Sequence, residues 1–342
     1  MRRRAIAYAL LSAALFGAST PLAKIFVGSV SPLALAGLLY LGSGLGLAVW
    51  LLIRRRVVLM AARDVPWLAG AIVAGGIVGP ALLMYGLART DAASASLLLN
   101  LEAVLTAAIA WVVFRENVDR RVFAGMAAIV AGGIVLAWQR PDVHGAAGPL
   151  LIAGACLAWA LDNNLTRRVS GGDAAVLAAL KGLVAGAANL ALALAFGARL
   201  PAPAAVAAAG LVGLVGYGVS LVLFIMALRD LGTARTSAYF SIAPFFGAAL
   251  ALLALGEQPA SAFWVAAVLM GIGVWLHVTE RHEHEHLHEP LAHTHEHVHD
   301  AHHQHSHGPG WDGREPHTHP HEHGRLRHRH PHYPDLHHRH GH

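Results

Sequence analysis

Five polar residues lie inside long apolar stretches of this 342-residue chain, and their side chains could bind a ligand or a proton. Asn100 and Glu102 are two residues apart, Asp162 and Asn163 are adjacent, and Lys181 lies in a third stretch. A charge in a membrane interior costs at least about 2.5–3.5 kcal/mol, so it is retained where it faces a cavity or a partner. These residues therefore predict a polar, hydrated cavity that binds substrate and a coupling proton. The alternative is a structural ion pair, Glu102–Lys181 or Asp162–Lys181, that joins helices.

The apolar stretches have the length and composition of membrane-spanning helices. Hydrophobic residues make up 56% of the chain and charged residues 13%, whereas a soluble protein carries about 25% charged residues. A spanning helix needs about 20 mostly apolar residues. Ten stretches approach this length, at residues 5–27, 32–53, 66–87, 93–114, 122–138, 149–168, 173–197, 206–228, 234–255 and 261–278. We therefore predict an all-α membrane protein with ten transmembrane helices.

The arginines favour one orientation of these ten helices. With the N-terminus inside, most arginines fall in the predicted inner loops, whereas the outer loops hold only Arg89, Arg140 and Arg199. Loops rich in Lys and Arg stay on the cytoplasmic side. We therefore expect an even number of spans and both termini in the cytoplasm.

One order of features occurs twice in the apolar region. Residues 85–138 hold a span with polar residues, a short charged loop and a Gly-rich span, and residues 226–278 follow much the same order. Each half has five predicted helices, and an odd number inverts the second half relative to the first. We predict inverted repeats at residues 1–140 and 141–279. Many secondary transporters have this design, with the substrate site near the membrane midplane between the repeats.

Several aromatic residues are predicted to lie deep in the spans, and we expect one of them, Tyr239, to contact substrate. As a group they could line an aromatic cavity, or they could pack against lipid and neighbouring helices. They are Tyr85, Trp111, Trp159, Tyr217 and Tyr239. Lys24 lies near a span end, where snorkelling of its ammonium group to the interface would explain it without a function.

Residues 280–342 form a polar, His-rich tail. Of the 25 histidines, all but His144 and His277 lie beyond residue 281. This composition cannot pack a core, so we predict a cytoplasmic tail that is disordered without metal. Neutral imidazole binds zinc, nickel, cobalt and copper, so the tail predicts a site for a divalent transition metal. The predicted ligands are His282, His284, His286, His288, His293, His295, His297, His299, His302, His303, His305 and His307. The tail could instead sense or buffer metal, or act as a pH-dependent polycation.

Short motifs in the spans carry a resemblance to a known family. They are Phe16-Gly17, Trp159-Ala160, the Ala- and Ser-rich start of the fourth span, and Glu116 and Glu257 after the fourth and ninth spans. In order and spacing, residues 5–278 resemble the EamA-type transporters of the drug/metabolite transporter superfamily. The resemblance implies a ten-helix secondary transporter of the inner membrane rather than an enzyme, and members of this family export metabolites or drugs while some import. Ala103, where the family often has Pro, and the polar run at residues 162–164 leave the substrate class open.

We therefore expect an exporter of a small organic metabolite that works by alternating access. The alternatives are a nickel, cobalt or zinc transporter, a transporter regulated through the tail, and a membrane metal sensor that transports nothing. The chain has no Gly-rich phosphate loop, which argues against transport driven by ATP within it. We expect the lipid bilayer and a small molecule as partners, no nucleic acid, and no required cofactor beyond a possible metal in the tail.

Overall fold

The computed structural model consists of two compact units, Met1–Glu280 and Arg281–His342. The structure describes residues 2–54, 64–114, 120–138, 147–166, 174–231, 236, 239–279, 283–288, 291–297, 317–323 and 326–331. The described part of the first unit is helical, and the described part of the second is made of strands.

The described residues of the first unit form ten helices. In chain order they are α1 (Arg2–Phe26), α2 (Pro32–Ile53), α3 (Val65–Leu87), α4 (Ala92–Leu98 and Leu101–Phe114), α5 (Arg120–Trp138), α6 (Ala147–Thr166), α7 (Ala174–Ala195), α8 (Pro203–Gly213, Leu214–Val219 and Ser220–Leu231), α9 (Ala243–Ala254) and α10 (Ser261–Val278). Eight of them are long and apolar enough to cross a membrane. The two others are α9, which is shorter, and α6, whose polar run at residues 162–164 lowers its mean hydropathy. For these two helices the crossing stays a prediction.

Local sequence sets several helix ends. Ser31 begins α2, since its hydroxyl accepts a hydrogen bond from the backbone N–H of Ala34 at 3.3 Å and Pro32 occupies the first helical position. Asp91 begins α4 in the same way, accepting from Ser94 N–H at 2.8 Å. The ninth predicted span covers residues 234–255; residues 236, 239 and 240 are helical, a turn follows at 241–242, and α9 runs from Ala243 to Ala254. Pro244 suits this start, because an N–H in the first turn of a helix would have no intrahelical partner.

Two helices depart from regular α geometry, which the periodicity of the sequence did not indicate. The middle of α3, Ile72–Val78, and the middle of α8, Leu214–Val219, are π-helical. Such segments widen the backbone by one residue and are common at functional sites. In α3 this segment ends immediately before Gly79 and Pro80.

The main helix contacts join the first five helices to the last five. They pair α1 with α8 and α9, α2 with α7 and α8, α3 with α6 and α7, α4 with α6 and α9, and α5 with α10. When each helix is exchanged for its counterpart in the other half, every one of these pairs becomes itself or another pair of the same set. The helices of the two halves are therefore intermixed in one bundle and do not form two separate bundles.

Small residues allow two of these pairs to approach closely. At the α2–α7 contact, a Cβ atom added to Gly44 would lie 2.5 Å from the backbone nitrogen of Leu183. At the α5–α10 contact, a Cβ atom added to Gly273 would lie 2.7 Å from the carbonyl oxygen of Gly125. Helices in a membrane associate through such van der Waals contact, because lipid gives no hydrophobic force between them.

The described part of the second unit contains two antiparallel pairs of strands. Strand β1 (Glu283–His288) pairs with β4 (Leu326–Pro331), and β2 (Leu291–His297) pairs with β3 (His317–His323). The structure thus differs here from the prediction of a disordered tail, whereas the described residues of the first unit are helical as predicted. A His-x-His sequence alternates with the two-residue period of a strand, and strand pairing needs only backbone hydrogen bonds.

Candidate functional site

An ion pair joins α6 to α7. The ammonium group of Lys181 donates to both carboxylate oxygens of Asp162, at 2.6 Å to Oδ1 and 2.5 Å to Oδ2. The Thr166 hydroxyl, one turn along α6, donates to Oδ1 at 2.9 Å. The Asp162 side chain is 7% exposed and that of Lys181 20%. Of the two ion pairs considered from the sequence, the structure forms Asp162–Lys181.

Glu102 is bound to α6 through an amide rather than through a cation. The Asn163 side chain donates to Glu102 Oε1 at 2.9 Å and lies 3.4 Å from the Thr106 hydroxyl. The structure thus brings Glu102, Asp162, Asn163 and Lys181 together as one polar cluster on α4, α6 and α7. Glu102 is half-buried and Asn163 is exposed, so both keep accessible surface.

The π segment of α3 supplies the backbone against which Asp162 packs. A Cβ atom added to Gly75 would lie within 1.9 Å of Asp162 Oδ2, so a glycine is needed for this approach. The Gly75 carbonyl accepts hydrogen bonds from the Tyr40 hydroxyl at 3.0 Å and from Trp159 Nε1 at 2.8 Å. Both donors come from other helices, so α2, α3 and α6 meet at this carbonyl.

Pro80 explains why the Gly75 carbonyl is available to side chains. In the π register the Gly79 N–H bonds to the Ala74 carbonyl, so the next residue would bond to Gly75. That residue is Pro80, which has no N–H. The Gly76 carbonyl is four residues before Pro80, and the Asn189 side chain of α7 donates to it at 3.2 Å. The sequence signal for this part of the site was the Gly75-Gly76 pair followed by Gly79-Pro80.

A chain of aromatic rings continues from Tyr40 into α8 and α1. Tyr217 in the π segment of α8 lies 5.7 Å, between ring centroids, from both Tyr40 and Phe16. Phe16 lies 5.2 Å from Phe240, which lies 5.0 Å from Phe224. All five rings are half-buried. These five rings therefore form one continuous aromatic chain.

Of the aromatic residues expected from the sequence, two lie at the site and two lie on the surface. Tyr217 belongs to the chain of rings and Trp159 donates to the Gly75 carbonyl. Tyr85 and Trp111 are 39% and 45% exposed on the helical unit. Tyr239 is half-buried, and its neighbour Phe240 makes the ring contacts with Phe16 and Phe224. The predicted contact of Tyr239 with substrate stays a prediction. Tyr40, Phe224 and Phe240 were missed, because their alignment depends on which helices meet.

Asn100 has a structural position in the fold. It is buried, and its amide donates to the Leu97 carbonyl at 2.9 Å where α4 is interrupted. The same amide lies 4.0 Å from the Met270 sulfur in α10. Among the described residues, its recorded hydrogen bonds reach neither Glu102 nor Asp162. Its role in substrate binding stays a prediction.

A second group of charges holds the turn between α3 and α4. Lys24 at the end of α1 donates to the carbonyls of Leu87 at 2.5 Å and Thr90 at 2.7 Å. The two carboxylate oxygens of Glu257 accept from the backbone N–H groups of Ala92 and Ala93, each at 2.8 Å. We name this group the turn clamp. The interpretation of Lys24 as a snorkelling residue does not fit this contact, because its ammonium group binds carbonyl groups at and after the end of α3. Glu116, the counterpart of Glu257, lies outside the described residues.

Comparison with known proteins identifies the family. The model of the EamA-like transporter family matches the chain twice, at residues 3–138 and 146–279. The chain belongs to the EamA-like transporter family. The resemblance seen in the sequence is therefore confirmed, and so is the prediction of a multi-pass membrane protein.

Two further comparisons agree with this EamA-like assignment. An "Uncharacterized transporter" of Methanothermobacter thermautotrophicus is 27% identical over 207 residues, which cover 58% of this chain and 60% of that protein. The chain thus matches less than two thirds of the length of this relative. A solved structure titled "Crystal structure of protein" has a TM-score of 0.60 at 20% identity and covers 81% of this chain and 96% of its own. That likeness concerns the fold alone.

The predicted metal ligands of this EamA-like transporter remain a prediction. His282, His299, His302, His303, His305 and His307 lie outside the described residues. The other six lie on strands, where the register pairs His284 with His330 and His293 with His321. Within the part of the chain that the structure describes, no group of three or more His, Cys, Asp or Glu side chains could hold a metal ion.

Proposed function

We propose that this EamA-like transporter exports a small organic metabolite by alternating access between two inverted five-helix halves. The observation that carries the proposal is the polar cluster itself. It joins Glu102 from the first half, through Asn163, to Asp162 and Lys181 of the second half, and the accessible surface of Glu102 and Asn163 supports a substrate cavity between the halves. A site at the interface of the halves can be exposed to either side of the membrane as the halves move against each other.

The packing supports the relation between the halves that the proposal requires. The same helix pairs recur when each helix is exchanged for its counterpart, and π segments interrupt both α3 and α8, which are counterparts. Irregular backbone at membrane depth is tolerated where it is buried in protein or lines a cavity. An inverted arrangement with both termini in the cytoplasm follows from five helices per half and from the distribution of arginines. Reporter fusions after residues 53, 138 and 279 test it: cytoplasmic signals at 53 and 279 and an external signal at 138 are expected.

Transport itself is tested in two stages. Metabolite profiles of cells with and without the gene identify compounds that accumulate inside the cells lacking it. Uptake of such a compound is then measured in proteoliposomes of the purified full-length protein, with and without a pH gradient. We expect transport that needs the protein and responds to the gradient. Accumulation unchanged by deletion of the gene, or normal transport by the Glu102→Gln and Asp162→Asn variants, would contradict the proposed function or site.

We also propose that the tail binds divalent transition metals. The support is its composition together with the strand register, which places histidines opposite one another. Titration of Ni²⁺ and Zn²⁺ into the full-length protein, and into a variant that ends at residue 281, tests this proposal by calorimetry. Loss of binding in the shortened variant is expected, and equal binding by both proteins contradicts it. For transport of a metal through the helices, neither the comparisons nor the described residues give support.

A further inference from the structure

We propose that the substrate of this cavity is a small organic cation, such as an amine with an apolar or aromatic body, and that Glu102 binds its charged group. The proposal rests on the proposed function, because it names the substrate class of the same cavity. Its starting point is the sum of charges in the polar cluster. Two carboxylates, Glu102 and Asp162, share the one ammonium group of Lys181.

The hydrogen bonds assign that ammonium group to Asp162. Lys181 donates to both oxygens of Asp162, whereas Glu102 receives the neutral amide of Asn163. Lys181 and Asp162 are bonded to each other, and together they form a neutral pair. Among the described residues, Glu102 therefore has no cation bonded to it. The cluster carries a net negative charge when both carboxylates are ionised.

Glu102 can reach a ligand. Glu102 keeps accessible surface, so a ligand in the proposed cavity can reach it. In a medium of low dielectric constant an unbalanced charge is strongly disfavoured, and a mobile cation or a proton restores neutrality. Binding of an organic cation and binding of a proton at Glu102 exclude each other, which provides a simple means of coupling the two.

The aromatic rings favour a cation that is organic. The Tyr40 hydroxyl donates to the Gly75 carbonyl at 3.0 Å, and Asp162 Oδ2 packs against Gly75. The ring chain thus begins near Asp162 and continues through Tyr217 and Phe16. Aromatic faces attract ammonium groups and pack against apolar bodies. A metal ion would need several oxygen or nitrogen ligands, and the described residues contain no such group.

The same arrangement disfavours other substrate charges. An anion would meet two carboxylates. A zwitterion would place its own carboxylate near the Lys181 ammonium group, whose charge Asp162 already neutralises through two hydrogen bonds. A cation alone finds an opposite charge that is not yet neutralised.

The test uses three ligands that share a phenyl ring and differ in charge: 2-phenylethylamine, phenylalanine and 3-phenylpropanoate. Aliphatic butylamine and aromatic tryptamine widen the set of amines. Binding to the full-length protein in nanodiscs is measured by calorimetry. We expect at least one amine to bind roughly tenfold or more tighter than the zwitterion and the anion, because only the amine forms a charge-assisted hydrogen bond with Glu102 without bringing a carboxylate to the cluster.

Variants locate the effect. In Glu102→Gln the preference for the amine is expected to fall by roughly tenfold or more, for the same reason. Glu257→Gln makes the same chemical change in the turn clamp and is expected to keep the preference. Three results would overturn the proposal: no amine binds, the zwitterion or anion binds as tightly as the amine, or Glu102→Gln leaves the preference intact.

The outcome is distinguishable from failure of the proposed function. If proteoliposomes transport a zwitterion or an anion independently of Glu102, the proposed transporter stands and the cation site is wrong. If the amines bind through Glu102 but no compound is transported in proteoliposomes, the cation site stands and the transport function is wrong.

Discussion

The turn clamp and the polar cluster both contain charged side chains among apolar helices, but different groups bind those charges in the two places. In the turn clamp, Lys24 binds two carbonyls and Glu257 binds two backbone N–H groups. In the polar cluster, Asp162 and Lys181 neutralise each other, while Glu102 receives one neutral amide. Charges used to hold a turn are satisfied by the fixed backbone, whereas Glu102 keeps capacity for a mobile partner. This difference separates structural charges from those that can carry function.

Asp162→Asn is expected to have the largest effect on stability. It leaves the Lys181 ammonium group in the protein interior without its counter-charge, and removal of one partner of a buried ion pair costs about 3–5 kcal/mol. Thermal unfolding of the detergent-purified variant measures the loss. The double variant Asp162→Asn, Lys181→Met removes both charges and is expected to recover most of the stability. A double variant as unstable as the single one would show that the pair is not what holds α6 to α7.

Glu257→Ala is expected to destabilise the protein by about 1.5–3 kcal/mol, because it removes a charged acceptor from two backbone N–H groups at the start of α4. Hydrogen exchange at residues 92–94 is expected to rise, and substrate affinity in the cavity is expected to stay unchanged. Glu257→Gln, which keeps one acceptor oxygen, is the matched control. Its stability should lie between that of the unaltered protein and that of Glu257→Ala. A changed ligand preference in Glu257→Ala would mean that the turn clamp and the cavity are not separate.

Gly75→Ala is expected to cost about 1–3 kcal/mol, the usual range for an overpacked site. The new methyl group would meet Asp162 Oδ2, so the side chain of Asp162 must move and its bonds to Lys181 weaken. Gly210→Ala is the control, since a Cβ atom there has no neighbour within 4 Å among the described atoms. Equal melting temperatures for the two variants would contradict the close packing of the π segment against α6.

Glu102→Gln is expected to have the smallest effect on stability, within about 0.5 kcal/mol, the range typical of substitutions that leave packing intact. The glutamine keeps an oxygen that accepts from Asn163. Transport in proteoliposomes is nevertheless expected to fall by roughly tenfold or more, because the charged partner of the substrate is lost. A melting temperature lowered as much as in Asp162→Asn would place Glu102 among the structural charges.

The membrane helices were predictable because each needs only a local property, a long run of apolar residues. The predicted second span, residues 32–53, coincides with α2, and the polar residues Glu102, Asp162, Asn163 and Lys181 stood out because apolar surroundings make them costly. The choice between the two possible ion pairs was open, since it depends on the rotation and depth of α4, α6 and α7. The structure decided it in favour of Asp162–Lys181.

Other parts of the site join residues far apart in sequence, and no local signal could relate them. Tyr40 and Trp159 meet at the carbonyl of Gly75, and Glu257 reaches back to the start of α4. Lys24 was interpreted as a snorkelling residue because its sequence position near a span end allowed that, but the end of α3 lies beside it. Pro80 gave the one hint in the sequence, since it cannot donate a backbone hydrogen bond and therefore leaves carbonyls for other groups.

The sequence by itself determined that this chain is a duplicated helical membrane protein of the EamA-like family with a His-rich tail. Composition, span length and motif order are properties of neighbouring residues, and they persist whatever the helices pack against. The tertiary structure alone decided which charges cancel. A hydrogen bond needs its donor and acceptor within about 3 Å of each other. Only the packing of the helices brings Lys181 within that distance of Asp162 and places the Asn163 amide, rather than a cation, against Glu102.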